Sequence, residues 1–302
     1  MPRASIDIGS NSLVFLILGD DGRILHDDAQ VVSLGRGLEE TQQFLPDRME
    51  AAMEAIASYA TVATAHGVAP ADIQAIATSA SRRARNAVTF YAQVRAQTGV
   101  EVRIITGLEE ANLTWRGACF GLPEPEGTFA VVDLGGGSTE VVVGQPGTAS
   151  PQSRISLEIG TVRLTEGFFD PQPAPYTVAQ FEDMSAHIAA VVSDIDWGEG
   201  AATLVAVAGT ATTIAAMDLG LTSWDREAVH GSRLSIGALE TWILSLLHST
   251  PEQRRTWAAV SPPRADMLLA GAAVLHAVCA VSGADALTIS DGGIRHGALI
   301  TP

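Results

Sequence analysis

Along this chain the spacing of apolar residues switches repeatedly between a period of two and a period near 3.6. Runs rich in β-branched residues predict strands near 4–9, 12–18 and 24–32. Met49, Met53, Ile56 and Tyr59 then recur at helical spacing, and predict a helix over 47–65 opened by Pro46 and Asp47 and closed by Gly67. Strand 73–78, helix 86–97, strand 101–106 and helix 108–120 complete a first half. The second half reads strands 129–134, 139–144 and 152–159, helix 178–193, strand 203–208, a helical stretch over 211–280, strand 286–290 and a last helix from 293. Both halves run three strands, helix, strand, helix, strand, helix, the second with extra helices. The alternation predicts an α/β fold with mixed sheets.

Two phrases support a duplication. "VVDLGGGSTEVVV" (131–143) places three glycines and two hydroxyl residues between β-branched runs, and "SIDIGSNSLVFLIL" (5–18) repeats it. Asp133 falls on Asp7, Gly135 on Gly9 and Ser138 on Ser12, an offset of 133 − 7 = 126 positions. A Gly-Gly turn alone explains one or two glycines. Three, followed by hydroxyls, fit backbone that curls N–H groups around an anion. Each phrase is therefore expected to be a phosphate-binding hairpin. The domains are expected at 1–122 and 123–302, hinged at "GLPEPEG" (121–127), with the two hairpins gripping a polyphosphate across an interdomain cleft.

Composition narrows the chemistry. The chain has 302 residues, 47% of them apolar, which allows two real cores. The longest apolar stretch, "MLLAGAAVLHAVCAV", is shorter than a membrane span and contains His276. Asp7 interrupts the amino-terminal apolar run, so no signal peptide is expected and the location expected is cytoplasmic. Cys119 and Cys279 make no disulfide framework. All 18 basic residues are arginine, which excludes a Walker lysine and a Schiff base. The net charge of −16 argues against general nucleic-acid binding and requires a local arginine cluster for any polyanion. "SASRRARNA" supplies one: Arg82, Arg83 and Arg85 follow strand 73–78, at the carboxyl end where α/β sites gather. The histidines and cysteines show no zinc pattern; His230 stands in "VHGSRL" before a helix. In "TGLEEANL", Glu109 and Glu110 fall in the first turn of a helix, where either carboxylate favours the helix dipole and either could act as a general base; spacing leaves the two undecided.

"IDIGSNS", "LGRGL", "ATSASRRARNA", "TGLEEA", "VVDLGGGSTE", "IGTVRLTE", "AGTATT", "VHGSRLS" and "SPPRADMLLAGAAVL" together resemble the exopolyphosphatase and guanosine pentaphosphate phosphohydrolase family. The phrases cover nearly the whole chain in the family's order. The resemblance implies duplicated ribonuclease-H-like domains, as in actin, Hsp70 and acetate kinase, in a two-domain form. It implies hydrolysis of the terminal phosphate of polyphosphate or guanosine pentaphosphate, a link to the stringent response, and Mg²⁺ as cofactor. It implies Glu110 as the base that positions water and Arg82 as the grip on the terminal phosphate. Ser10, Asn11 and Ser12 match the first phosphate hairpin, and Asp133, Gly135, Gly136, Gly137 and Ser138 the second. Asp7, Asp133 and Glu140 are the candidate acids that the resemblance associates with the metal. The sequence departs from the family at Ser33, where arginine is usual before "LGxGL", at Val14 in place of Arg or His, and at Ala208 in place of a glycine. With few basic groups, short chains are expected to be the better polyphosphate substrates; a homodimer stays open. Two other readings are a sugar- or acetate-kinase-like phosphotransferase, which the hairpins fit equally, and an alarmone-binding regulator without catalysis, against which an intact "GLEEA" argues.

Overall fold

The computed structural model describes residues 1–123, 127–145, 148, 151–169, 176–197 and 203–300. The chain divides into two compact units, Met1–Gly117 with Ile294–Pro302, and Ala118–Gly293. The middle of the "GLPEPEG" seam, 124–126, lies outside the described residues.

The first unit contains strands β1 (Arg3–Ile8), β2 (Ser12–Leu18), β3 (Ile24–Val31), β4 (Gln74–Ala77) and β5 (Val102–Ile104), and helices α1 (Leu38–Thr41), α2 (Pro46–Ala65), α3 (Ser79–Arg83), α4 (Ala87–Thr98) and α5 (Gly107–Ala118). Its sheet has the order β3-β2-β1-β4-β5. β1, in the middle, buries Ala4, Ser5, Ile6 and Ile8. β3, at the edge, alternates exposure and carries His26, Asp27 and Asp28, polar groups that discourage further strand pairing.

The second unit contains β6 (Phe129–Leu134), β7 (Thr139–Gly144), β8 (Ser153–Leu157), β9 (Thr203–Val207), β10 (Arg233–Ser235) and β11 (Ala286–Ile289). Its helices are α6 (Thr161–Phe169), α7 (Val178–Val192), α8 (Ala208–Asp218), α9 (Arg226–Val229), α10 (Ile236–Leu247), α11 (Pro251–Arg254) and α12 (Leu268–Ser282). The sheet order is β10-β11-β9-β6-β7-β8. Removing β10 and matching β6, β7, β8, β9 and β11 to β1 through β5 gives the order of the first sheet, so the duplication is one of topology. Every residue of β6 and β7 is buried, as expected of strands covered on both faces.

Several elements differ from the sequence reading, the short helices α1 and α3 among them. The stretch 211–280 contains the short edge strand β10, paired antiparallel to β11. Helix α6 was not expected. It has no Ser, Asp or Asn cap of its own; its first N–H groups are taken by carbonyls from Gly135 and Gly136 instead. Finally, the expected second domain included the terminal helix, α13 (Ile294–Leu299), which packs with the first unit. Ser5 Oγ donates to Arg295 O at 2.7 Å, Arg3 donates to Leu299 O, and the Arg295 guanidinium makes two bonds of 3.1 Å to Asp27. These bonds lie 268 or more residues apart in sequence, beyond what a local pattern encodes.

Candidate active site

β4 runs parallel to both β1 and β5, so the carboxyl ends of all three strands lie on one edge. Each end carries a feature expected from sequence: the hairpin Gly9–Ser12 after β1, α3 with Arg82 after β4, and the first turn of α5 with Glu110 after β5. Backbone bonds join them. Thr78 N–H donates to Ile8 O at 3.2 Å and Ile105 N–H to Ala77 O at 3.0 Å.

Arg82 and Glu110 meet there. Arg82 Nη1 donates to Glu110 Oε2 at 2.6 Å and to Ile105 O at 3.1 Å. Glu110 is 5% exposed, whereas the Arg82 side chain keeps 22% of its surface. A carboxylate this deep needs its charge met, and the guanidinium does so while leaving donors for a ligand.

The structure separates the two glutamates that spacing left undecided. Glu109 Oε2 accepts from Thr106 N–H at 2.9 Å, while Thr106 Oγ1 accepts from Glu109 N–H at 3.2 Å, a reciprocal capping box. Arg103 holds the other Glu109 oxygen at 2.8 Å. The Thr106 backbone bond, followed by the Thr106 hydroxyl and Arg103, pulls the Glu109 carboxyl below the usual carboxylate range. Glu109 closes the helix end. Glu110, about 100° further round the helix, points to Arg82.

The two hairpins share one turn. Gly9 N–H donates to Ser12 O at 3.0 Å, and Gly135 N–H to Ser138 O at 3.0 Å. Asp7 stands opposite Val14 in the first, and Asp133 opposite Glu140 in the second. In the second hairpin the carbonyl of Gly135 accepts from Thr161 at 3.0 Å, and that of Gly136 from Val162 at 2.8 Å and Arg163 at 3.2 Å. A trans peptide directs its N–H opposite its C=O. Anchoring these carbonyls on α6 therefore aims the N–H groups of Gly136 and Gly137 the other way. No bond among the described residues occupies those N–H groups or that of Ser138, which leaves a nest suited to phosphate.

Gly160 allows this approach: a Cβ there would lie 2.5 Å from the Gly136 carbonyl carbon and 2.6 Å from that of Gly137. Gly35 does the same in the first unit. It donates to Ser10 O at 2.7 Å, and its Cβ would lie 3.0 Å from Ser10 Cβ. Neither glycine was singled out from sequence, although an offset of 160 − 35 = 125 positions, close to that of the hairpins, was there to be found. Ser33 and Val32 N–H groups both donate to Asn11 O, at 2.8 and 3.0 Å, and Ser33 Oγ donates to Asn11 Oδ1 at 3.1 Å. The departure at Ser33 thus touches the hairpin itself.

Of the acids expected at a metal, Asp133 and Glu140 face each other directly across β6 and β7. Both are buried, and Ser156 Oγ donates to Glu140 Oε1 at 2.6 Å. Asp7 is half-buried on β1, in the other unit. Among the described residues no group of three or more His, Cys, Asp or Glu side chains could hold a metal. An all-oxygen pair fits Mg²⁺, which is commonly held by one or two carboxylates and keeps several waters, and does not fit zinc.

Two further places concern the remaining motifs. At "AGTATT", Ala208 opens α8 with φ at 73°, a left-handed conformation costly for a residue with a Cβ. Beside it, a Cβ at Gly209 would lie 2.8 Å from the guanidinium carbon of Arg264, whose Nη1 donates to Thr213 Oγ1 at 3.3 Å. His230 Nδ1 accepts from Asp291 N–H at 3.1 Å, and Arg226 donates to the Asp291 carboxylate at 2.9 Å. Burial, then Arg226, lowers the His230 pKa; Asp291 opposes them. No helix among the described residues is long and apolar enough to cross a membrane.

The profile of the Ppx/GppA phosphatase family matches residues 18–301. Exopolyphosphatase 2 of Mycobacterium tuberculosis is 33% identical over 317 aligned positions, which cover 97% of this chain and 96% of that protein. The crystal structure of the Aquifex aeolicus Ppx/GppA family member superposes with a TM-score of 0.81 at 32% identity, covering 99% of this chain and 96% of the other. An exopolyphosphatase-like protein of known structure reaches a TM-score of 0.91 at 31% identity, covering 99% and 98%.

Proposed function

The chain belongs to the Ppx/GppA phosphatase family, and on that premise we propose that it releases terminal orthophosphate from inorganic polyphosphate, with short chains served at least as well as long ones, and from guanosine pentaphosphate. The observation that carries the reading is the buried Glu110 carboxylate, bonded to Arg82 beside the first hairpin.

In the reaction proposed, water attacks the terminal phosphorus and the P–O bond to the rest of the chain breaks. Glu110 orients that water and accepts its proton. Arg82 has donors left to bond the non-bridging oxygens of the phosphoryl group, whose charge grows more exposed in the transition state. The Asn11 N–H, lying opposite the anchored Ser10 carbonyl, presents a backbone donor to phosphate, and the Gly136 and Gly137 N–H groups offer the same kind of donor in the second unit. Asp133, with Glu140 beside it, would hold Mg²⁺, and Asp7 is the corresponding acid of the first unit. The ion supplies charge neutralisation for the phosphate oxygens when bound.

The short-chain preference rests on charge. The net charge is −16, and much of the arginine complement is engaged with acids of the chain, as in Arg83 with Glu39 and Arg103 with Glu109. Few cations are left to follow a long polymer. The test is orthophosphate release from long polyphosphate, tripolyphosphate, guanosine pentaphosphate and ATP, measured side by side with Mg²⁺ and no acceptor. Release from polyphosphate is expected. Transfer that proceeds only when an alcohol or carboxylate acceptor is added would identify a phosphotransferase, and tight binding with no turnover a regulator.

A further inference from the structure

Arg36 is exposed, and no hydrogen bond or ion pair engages its side chain among the described residues. Among the described residues Arg85 and Arg116 are exposed arginines in the same state, so what singles out Arg36 is its position. The nearest acids in sequence, Glu39 and Glu40, lie in α1, and Glu39 is committed to Arg83.

The place of Arg36 is fixed by its neighbours. Gly35 is pressed between Ser10 and Ala80: its Cβ would lie 3.0 Å from Ser10 Cβ and 3.3 Å from Ala80 Cβ. Arg36 N–H closes a turn onto Ser33 O at 3.0 Å. Ser33 in turn holds both the backbone carbonyl and the side-chain oxygen of Asn11. Arg36 is thus rooted one residue from the meeting of the first hairpin with α3, two residues before Arg82 in that helix being Ala80. A solvated guanidinium with no internal partner, on a loop hydrogen-bonded to the first hairpin, raises the local potential against a strongly negative field.

We infer that Arg36 binds a non-terminal phosphate of the substrate chain and sets affinity for substrates of three or more phosphates. The inference rests on the phosphohydrolase reading and adds a residue to it. In this assignment Arg36 touches a phosphate other than the one transferred, so it acts on binding and not on the bond-breaking step.

The experiment compares wild type, Arg36→Gln, Arg36→Lys and Arg23→Gln. Arg23 lies at the opposite end of β2 from the hairpin and pairs with Asp21, so its loss controls for the removal of one positive charge. With tripolyphosphate, Arg36→Gln is expected to raise KM about five- to tenfold with kcat within about twofold, the signature of lost uniform binding. The decline of kcat/KM with rising salt should become shallower, because one cationic contact to phosphate is lost. Arg36→Lys, which keeps the charge at the same position, should retain most of both, and Arg23→Gln should leave both unchanged. Equal behaviour of Arg36→Gln and Arg23→Gln in an active enzyme overturns the inference. If wild type releases no phosphate at all, the phosphohydrolase reading fails, and salt-dependent binding of tripolyphosphate by the same variants decides the role of Arg36.

Discussion

Replacing Gly160 by alanine tests how the second hairpin is held. Gly160 does not occupy the left-handed region, so alanine loses nothing there but space. The added Cβ would meet Gly136 C at 2.5 Å, Gly136 O at 2.6 Å and Gly137 C at 2.6 Å, all of them backbone. Carbon contacts prefer about 3.5–4.0 Å, so hairpin and helix must separate by roughly 1 Å. The bonds from Thr161, Val162 and Arg163, now 3.0, 2.8 and 3.2 Å long, would then exceed hydrogen-bonding range. At ~0.5–1.5 kcal/mol net for each bond, the expected loss of stability is about 2–4 kcal/mol. A displacement of ~1 Å in phosphate-binding groups is also expected to cost about 100-fold in kcat/KM. Urea unfolding gives the first quantity, and phosphate release under conditions where the variant stays folded gives the second. Gly35→Ala provides a graded comparison, because its Cβ would meet neighbours at 3.0–3.3 Å and requires shifts of only a few tenths of an ångström. A Gly160→Ala protein with wild-type stability and activity would refute the anchoring of the hairpin on α6.

Arg82→Lys keeps the charge but loses the planar fork, and is expected to lower kcat/KM at least 30-fold by phosphate release; near-wild-type turnover would remove Arg82 from the site. Ala208→Gly relieves a left-handed alanine, worth about 1–2 kcal/mol, against ~0.4–1 kcal/mol of added chain entropy in the unfolded state, so urea unfolding should show a net gain of about 0.5–1 kcal/mol; a loss would mean the strain is absent. The His230 pKa is lowered in the folded state, so its contribution is complete above the unfolded value of about 6.5 and is lost as pH falls toward the folded value. His230→Asn, which keeps an acceptor for Asp291 N–H, should therefore flatten the decline in stability between pH 7.5 and 5; an unchanged slope would rule His230 out as a source of that decline.

Much of the fold was legible because its signals are local. β-branched runs marked both hairpins, and the repeated Asp-x-Gly phrase revealed the duplication before any strand pairing was known. Arg82 and Glu110 could be placed at strand ends by pattern, but that they touch follows from the adjacency of β4 and β5, which no spacing encodes. Glu109 and Glu110 could not be told apart until the reciprocal bonds with Thr106 showed which one caps the helix. Helix α6 and the roles of Gly35 and Gly160 escaped for a related reason. A glycine needed for close approach looks, in sequence, like one needed for a turn, and a helix capped by distant carbonyls carries no capping residue. The terminal helix, expected in the second domain, packs with the first unit, because its partners on β1 and β3 lie almost the whole chain away in sequence.

The proposed hydrolysis depends most directly on Glu110. Orthophosphate release from tripolyphosphate, with Mg²⁺ saturating, should be measured for wild type, Glu110→Gln and Glu109→Gln. A general base is worth about 10²–10⁴-fold, so Glu110→Gln should lose that much kcat with KM little changed. Glu109→Gln, which can still complete the capping box with Thr106, should remain within about threefold of wild type. Equal activity of the two variants, or a fully active Glu110→Gln enzyme, would contradict the account.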